Sequence, residues 1–338
     1  MLRWFKRIVI SLLFLFLVLF AFIRFQGLQY IAAYLGSGFA RNLPDLNSFP
    51  KQPSCNTPPI KVLSYNVRYG STTIEAMATR FRNGDTGDSF LPWSVRLPEI
   101  RERIASYTPD LMGLQEMETD KDINAIVSRD QYTLVSYHLG NFEYGDSALL
   151  YKTARFEQLD SGQLWLGPNP ELPMSLGFKR LAMIRYSNWV LLRDKSTGFI
   201  FMYVNTHFDN ASKNKDPSSI LFRERITGLV AGVPMIVSGD FNTTASTERY
   251  YRFTGSNEHP SLLQNTYDSF KNKSQGDITA HPDNLIDHIL VGGPCNVDAD
   301  QWVVDSLPLK NGQAMSDHYP VFAQVNFSSK PIDREALQ

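Results

Sequence analysis

The chain has only two cysteines among its 338 residues, Cys55 and Cys295, and they are far apart in the sequence. This excludes a zinc site built on closely spaced cysteines, and no two histidines show the His-x-x-x-His spacing of a helical zinc site. A glycine-rich Gly-Lys-Ser/Thr phosphate loop and a Gly-x-Ser-x-Gly segment are also absent. These absences argue against zinc enzymes, nucleotide-triphosphate motors and serine esterases.

The chain also lacks an excess of positive charge. It has 33 Lys and Arg against 34 Asp and Glu, and residues 1–58 hold six of the basic residues and one of the acidic ones. The remainder therefore holds 27 basic and 33 acidic residues, a net charge of −6. Because phosphate contacts dominate affinity for long nucleic acid, such proteins usually carry a basic face. Nucleic acid is therefore not the favoured partner, although residues 212–215 (Ser-Lys-Asn-Lys) form a small basic segment.

One long apolar run is present, at the N-terminus. Ile8–Ile23 is apolar or small throughout, with three basic residues before it and Arg24 after it. This predicts a signal anchor within residues 1–35, with a transmembrane segment at about 8–23. A cleaved signal peptide is the alternative, but no small-x-small site closes the run. Because basic residues precede the run, we expect a single-pass protein of the inner membrane with its main domain on the periplasmic or extracellular side.

The rest of the chain divides by composition. Residues 36–59 are rich in proline and predict a linker, with a packed N-terminal arm as the alternative. Residues 60–327 are long enough for one domain with a full core, expected to be a monomer, and 328–338 form a tail. In an oxidising compartment the two cysteines would form one disulfide, and free thiols are the alternative.

Five short polar segments end apolar runs in the main domain. They are LSYNV (63–67), GLQE (113–116), NTHFD (205–209), SGDFN (238–242) and SDH (316–318), with LIDHILV (285–291) before the last. The apolar runs predict buried strands at 62–65, 111–114, 199–204, 235–237, 285–291 and 319–325. Each strand would deliver polar side chains to one end, where catalytic groups usually lie.

The polar residues at these ends suit one kind of chemistry. Glu116, Asp317 and Asn66 offer only oxygen ligands, which suits Mg²⁺, or Mn²⁺ as the alternative. Such an ion keeps several waters and also binds substrate phosphate. The pattern therefore predicts metal-assisted attack of water on phosphorus.

The order of these motifs resembles the endonuclease/exonuclease/phosphatase superfamily, which has the deoxyribonuclease I-like fold, over about residues 60–327. Trp93-x-x-Arg96, Asp160-Ser-Gly, Arg185-x-x-x-Trp189 and the 205–209 segment resemble, more narrowly, a bacterial group of metal-dependent hydrolases. The resemblance implies a four-layer α/β sandwich, with two packed mixed β-sheets flanked by helices. Local patterns predict two of these helices, at 98–107 and from 216 to about 230.

The resemblance implies that Glu116 is the principal metal ligand and that Asn66 and Asp317 support the metal site. Some members have an Asp two residues after the first Asn, where this chain has Arg68. This difference indicates one ion. Arg68 is expected either to reach a substrate phosphate oxygen or to be solvated.

The resemblance also implies the catalytic residues. Asp240 would orient or deprotonate the attacking water, and Asn242 would bind the scissile phosphate. His318, oriented by Asp287, would contact a phosphate oxygen as charge builds on it. His207 would protonate the leaving group, because a positioned histidine is an efficient general acid.

Three further residues receive weaker assignments. Asp146 is our prediction for the acid that orients His207. Arg185 is expected to contact a substrate anion, with an ordinary surface ion pair as the alternative, and Asp209 is also expected to contact substrate.

Together these patterns predict a membrane-anchored, Mg²⁺-dependent phosphoesterase acting on a small or lipid-linked phosphoester outside the cytoplasm. A periplasmic nuclease and an inactive, tethered binding module are the alternatives. The four Asn-x-Ser/Thr sequons include Asn210 and Asn242, where a glycan would block the site, so a bacterial protein is favoured. Substrate choice is expected to depend on loops at 70–92, 165–179, 210–216 and 243–284.

Overall fold

The computed structural model describes ten stretches of the chain: residues 2–24, 54–68, 70, 91–117, 119–135, 146–171, 175, 177–178, 184–270 and 285–329. Most of the predicted linker, the C-terminal tail from residue 330 and parts of three predicted substrate loops lie outside these residues.

The N-terminal helix α1 spans Leu2–Arg24. Within the described residues it is the one helix whose length and composition would allow it to cross a membrane, over Trp4–Ala21. A signal sequence has the same properties, so both alternatives are consistent with this helix.

Twelve strands and five further helices follow α1. The strands are β1 (Ile60–Asn66), β2 (Leu111–Gln115), β3 (Tyr132–Val135), β4 (Ser147–Lys152), β5 (Phe156–Trp165), β6 (Tyr186–Asp194), β7 (Ile200–His207), β8 (Met235–Asp240), β9 (Gln264–Asn265), β10 (Asp287–Gly292), β11 (Asn296–Val304) and β12 (Val321–Ser328). The helices are α2 (Trp93–Tyr107), α3 (Asp120–Ile126), α4 (Ser212–Gly232), α5 (Glu248–Thr254) and α6 (Thr266–Ser269).

The strands form two six-stranded sheets. The first has the order β11-β12-β1-β2-β4-β3 and the second β5-β6-β7-β8-β10-β9. Each sheet is mixed, because β1 pairs with β2 and β7 pairs with β8 in parallel while the other neighbours are antiparallel. Each parallel pair lies near the middle of its sheet and ends in polar motif residues.

Apolar side chains fill three layers. One cluster lies between the sheets and includes Val62, Leu111, Phe201 and Ile289. A second packs α4 and α5 against the second sheet, and a third packs α2 and α3 against the first. Helices thus cover both outer faces, which confirms the predicted four-layer α/β sandwich.

Both predicted helices begin earlier than expected. Pro98 and Pro217, at or next to the predicted starts, lie inside α2 and α4. A proline here removes one backbone donor but still permits a helix to pass through it. Within α4, Ile220 is 43% exposed and Phe222 is buried.

The strand register brings the polar motifs to one end of the sandwich. In the second sheet, Asp240 lies opposite His207 on one side and Asp287 on the other. In the first sheet, Asn66 lies opposite Gln115, the residue before Glu116. The predicted convergence of the motifs is therefore observed.

The opposite end of the sandwich is closed by a disulfide between Cys55 and Cys295, with a Cα–Cα distance of 5.6 Å. Residues 54–59, predicted as part of the linker, lie against the domain here. Arg155 donates hydrogen bonds to the carbonyls of Pro58 and Pro59, at 2.7 and 2.8 Å. The packed-arm alternative is therefore correct for these residues.

Replacing Cys55 and Cys295 together with serine is expected to lower the free energy of unfolding by about 2–5 kcal/mol, because the bridge constrains the unfolded chain. Urea unfolding of the full chain in detergent measures this loss. Dithiothreitol should bring the midpoint of the unmodified protein to that of the double variant. Equal midpoints for the oxidised protein and the variant would contradict the prediction.

Candidate active site

The carboxylate of Asp240 is the centre of the site, and its side chain is almost fully buried. Its Oδ1 accepts a hydrogen bond from the backbone N–H of Asn242 at 2.7 Å, and its Oδ2 accepts one from Asn66 Nδ2 at 3.2 Å. The Nε2 atoms of His207 and His318 lie 3.3 and 3.7 Å from the same Oδ2. Two histidines, one before Asp240 in the chain and one after it, therefore lie beside the same carboxylate.

His207 is held from behind by a buried acid. Its Nδ1 lies 2.8 Å from Asp146 Oδ1, which confirms Asp146 as the residue that orients it. The guanidinium of Arg185 forms an ion pair with Asp146 and lies 2.8 Å from His207 Nδ1. Arg185 is 11% exposed, so the surface-pair alternative is wrong. This arginine fixes the carboxylate that fixes the histidine.

The surroundings of His207 favour its protonated form. Burial and the charge of Arg185 lower the pKa of His207, but Asp146 and Asp240 outweigh them and raise it to about 9. Burial alone would raise the pKa of Asp146, and the nearby charges of Arg185 and His207 instead hold it well below its usual range. The imidazolium can therefore donate a proton at neutral pH.

His318 forms the second pair. Its Nδ1 lies 2.7 Å from Asp287 Oδ2, as predicted for an orienting carboxylate. Burial lowers the pKa of His318, but Asp287 and Asp240 raise it to about 10. The other oxygen of Asp287, Oδ1, is buried without a hydrogen-bond partner among the described residues. His318 is thus positioned as a cation that faces the same space as His207.

The predicted metal-site residues are linked by short contacts. Asn66 Nδ2 donates to Glu116 Oε1 at 3.2 Å as well as to Asp240, while Asn66 Oδ1 accepts from the backbone N–H of Arg68. Arg68 then pairs with Asp317 at 3.1 Å. Asn66 therefore bridges two carboxylates as a donor, and its supporting role at the metal site stays a prediction. Arg68, instead of being solvated, contacts the acid of the metal site.

Glu116 has an unusual backbone conformation. Its φ is 59°, in the left-handed region that residues with a β-carbon rarely adopt. Such strain is commonly retained where it serves a functional side chain. Glu116 and Asp317 both offer carboxylate oxygens, the ligand type that suits a hard divalent ion. Asp240, Asp287 and His318 form a second group whose ligand atoms all lie within 4.8 Å of one another.

Arg96 connects the loop after β1, which carries Arg68, with the loop that carries Asp317. Its guanidinium is buried and donates to four backbone carbonyls, those of Val67, Met315, Arg68 and Leu91, at 2.7–2.8 Å. The first and third of these belong to the loop after β1, and the second precedes the 316–318 motif. The sequence singled out Arg96 only through a family pattern, because contacts to backbone carbonyls leave no periodic signal.

Two predicted residues have local roles. Asn242 has a φ of 49° and donates through Nδ2 to the carbonyl of Phe208 at 2.9 Å, so a glycan at this sequon would break that bond. Asp209 is buried and accepts hydrogen bonds from the backbone of Ala211 and the side chain of Asn214. Asp209 therefore shapes the loop before α4, and its contact with substrate stays a prediction.

A polar layer between the sheets, which the sequence did not reveal, fixes the strands beneath the site. Asn205 Nδ2 donates to Ala148 O at 2.8 Å, and Asn205 Oδ1 accepts from Gln115 Nε2 at 2.7 Å. The side chain thus joins the two sheets just below Glu116. A methyl group at Gly113 would lie 2.3 Å from Asn205 Oδ1, so this approach requires glycine.

A buried carboxylate between two acid-oriented histidines, at one end of a four-layer sandwich, defines the molecule as an α/β-sandwich hydrolase. The profile of the Endonuclease/Exonuclease/phosphatase family matches residues 63–318. The chain belongs to this family and is a phosphoric ester hydrolase. Enzymes of the family are generally dependent on divalent metal ions.

Solved structures share the fold. The endonuclease/exonuclease/phosphatase from Bacteroides vulgatus is 23% identical with a TM-score of 0.62, covering 80% of this chain and 100% of that one. A mannosyl-6-phosphatase of Bacteroides thetaiotaomicron is 24% identical with a TM-score of 0.60, at 79% and 100% coverage. The human Nocturnin catalytic domain with bound sulfate is 20% identical with a TM-score of 0.59, at 82% and 98% coverage. No curated protein matched the chain.

Proposed function

We propose that the chain is a membrane-anchored, Mg²⁺-dependent phosphoesterase that hydrolyses a small or lipid-linked phosphoester outside the cytoplasm. The observation that carries this proposal is the position of Asp240 between His207 and His318, each of which is backed by its own carboxylate. An inactive binding module would have no need of two charge-paired histidines around one buried acid, because buried ion pairs are weak evidence for a purely stabilising role.

The residues divide the work of hydrolysis. Asp240 accepts the proton of the attacking water. His207 donates a proton to the departing oxygen, because its own proton is retained at neutral pH. His318 and the Asn242 side chain hold phosphoryl oxygens as negative charge builds on them, an electrostatic contribution that is largest in a buried site.

Glu116 and Asp317 are the residues that would hold the divalent ion, and Asn66 would support the site through its hydrogen bonds to the Glu116 and Asp240 carboxylates. When bound, the ion supplies charge neutralisation at the phosphoryl group. Mn²⁺ is the alternative ion, since it accepts the same oxygen ligands.

Two features support a location outside the cytoplasm. The helix α1 has the length of a membrane anchor and is preceded by basic residues. The disulfide between Cys55 and Cys295 is of a kind that forms and persists in oxidising compartments. We therefore propose a monomer anchored in the inner membrane of a bacterium, with the domain on the periplasmic side.

The direct test is hydrolysis of bis(4-nitrophenyl) phosphate and 4-nitrophenyl phosphate by the full chain in detergent, with Mg²⁺, Mn²⁺ or EDTA. We expect metal-dependent turnover that His318→Ala abolishes while the protein remains folded. The preferred compound decides between diester and monoester. Turnover that persists in EDTA, or that His318→Ala leaves intact, would contradict the proposed mechanism.

The rate should depend on pH through His207. Because its pKa is raised to about 9, the protonated acid persists through neutral pH and is lost as pH rises through about 9. Hence kcat is expected to fall above that pH. In Asp146→Asn the nearby negative charge is lost, so the alkaline fall should move about 1–3 pH units lower. A kcat–pH profile measures both, and an unmoved profile in the variant would refute the role of His207.

A further inference from the structure

Lys215 lies in the first turn of α4, on the segment that follows His207 and the buried Asp209. Asp209 fixes this segment by accepting hydrogen bonds from Ala211 N at 3.0 Å and Asn214 Nδ2 at 2.8 Å. Lys215 is partly buried, and no hydrogen bond or ion pair of its ammonium group exists among the residues that the structure describes. A held segment thus presents an unpartnered cation next to the catalytic strand.

Arg249, near the start of α5, approaches the same place from the other side. Its Nε donates to Thr243 Oγ1 at 3.3 Å, and its Nη1 lies 3.5 Å from Asp216 Oδ1. Thr243 directly follows Asn242 of the site, and Asp216 directly follows Lys215. Arg249 therefore connects the loop that carries Asn242 with the helix turn that carries Lys215.

The two cations are connected through Asp216, which follows Lys215 in the chain and lies 3.5 Å from Arg249 Nη1. Burial and the charge of Arg249 lower the pKa of Lys215, and the charge of Asp240 opposes them. Asp216, the nearby acid, is shared with Arg252 at 3.2 Å. Neighbouring like charges that are partly desolvated repel each other, and a bound anion would relieve that repulsion.

We propose that Lys215 and Arg249 form a subsite for a second anionic group of the substrate, beside the phosphoryl group that is hydrolysed. The inference rests on the proposed function and adds the class of substrate to it: a phosphoester that carries a further phosphate or carboxylate. Asp209 and Asp216 then serve to place the two cations at the site.

The test is calorimetric binding to the full chain in detergent and EDTA, so that it needs neither turnover nor metal. The probes are propylphosphonate, which has one anionic group, 3-phosphonopropionate, and bisphosphonates with one, two or three methylene groups between the phosphorus atoms. We expect at least one probe with two anionic groups to bind about tenfold or more tightly than propylphosphonate, since a charged hydrogen bond contributes that much.

Lys215→Gln should abolish this preference without changing the affinity for propylphosphonate, and Arg249→Gln should weaken it similarly. Lys215→Gln breaks no described bond, so the protein should fold normally. Lys121→Gln, on the exposed side of α3, removes the same charge elsewhere and is expected to have no effect. The most favoured probe tells phosphate from carboxylate.

Equal affinity for all probes, or a preference that survives in Lys215→Gln, would overturn the subsite. Failure of the proposed function would appear differently, as absence of metal-dependent turnover of the nitrophenyl esters, whatever the binding result.

Discussion

Asp240→Asn is expected to reduce kcat by about 10³-fold or more, since it removes the base that accepts the proton of water and general acid-base help contributes about 10²–10⁴-fold. The fall in kcat should exceed the contribution of general acid-base catalysis if the contacts of His207 and His318 with residue 240 are also disturbed. The two histidine Nε2 atoms lie 3.3 and 3.7 Å from Asp240 Oδ2, so the variant also weakens their charged state. Steady-state kinetics with 4-nitrophenyl esters measures the change.

Asparagine preserves the size of the side chain, so the variant should unfold at nearly the same urea concentration as the unmodified protein. Asp130→Asn replaces an exposed acid in the turn between α3 and β3 and provides the matched control, with unchanged kcat. If Asp240→Asn retained a tenth of the activity, Asp240 would not be the base.

Arg96→Met is expected to lower the free energy of unfolding by more than about 3 kcal/mol. In the folded fraction of the variant, kcat/KM is expected to fall by about 10²-fold. The four carbonyls that Arg96 satisfies would lose their donor, and each buried group left unpaired costs about 1–3 kcal/mol. The loops that carry Asn66 and Asp317 would also lose their shared clamp. Urea unfolding and kinetics at saturating Mg²⁺ measure the two effects.

Arg96→Lys separates positioning from stability. Lysine keeps the charge but cannot form the planar, multiple contacts of a guanidinium. In Arg96→Lys we expect a large rise in the Mg²⁺ concentration that gives half-maximal rate and only a small fall in the free energy of unfolding. In Arg96→Ala, added guanidinium should restore part of the rate. Arg101→Met, exposed on the same helix, should change stability by less than about 0.5 kcal/mol. A variant with normal metal dependence would show that Arg96 acts on stability alone.

The sequence predicted the strands and their catalytic ends well, because buried strands leave continuous apolar runs that stop where polar groups begin. Each predicted strand exists, although β7 and β8 extend beyond the predicted runs and end at His207 and Asp240. The pairing of His207 with Asp146 was also predicted, because Asp146 directly precedes the strand β4.

Other features depend on contacts between residues far apart in sequence. Arg185 was expected to face substrate, yet it lies behind His207 because Asp146 draws it there. The amide of Asn66 donates to two carboxylates, those of Glu116 and Asp240. Neither orientation follows from residue type or spacing. Both helices begin before their predicted starts, because Pro98 and Pro217 lie inside the helices and do not mark their first turns.

The disulfide has a mechanical consequence. A pull on the chain from its N-terminal side reaches Cys55 first, and the covalent bond passes that force to Cys295, which lies between β10 and β11. β1 begins five residues after Cys55 and would otherwise be the first strand to be drawn out of its sheet. Asn66, at the far end of β1, is therefore shielded from tension on the N-terminal segment for as long as the bridge is oxidised.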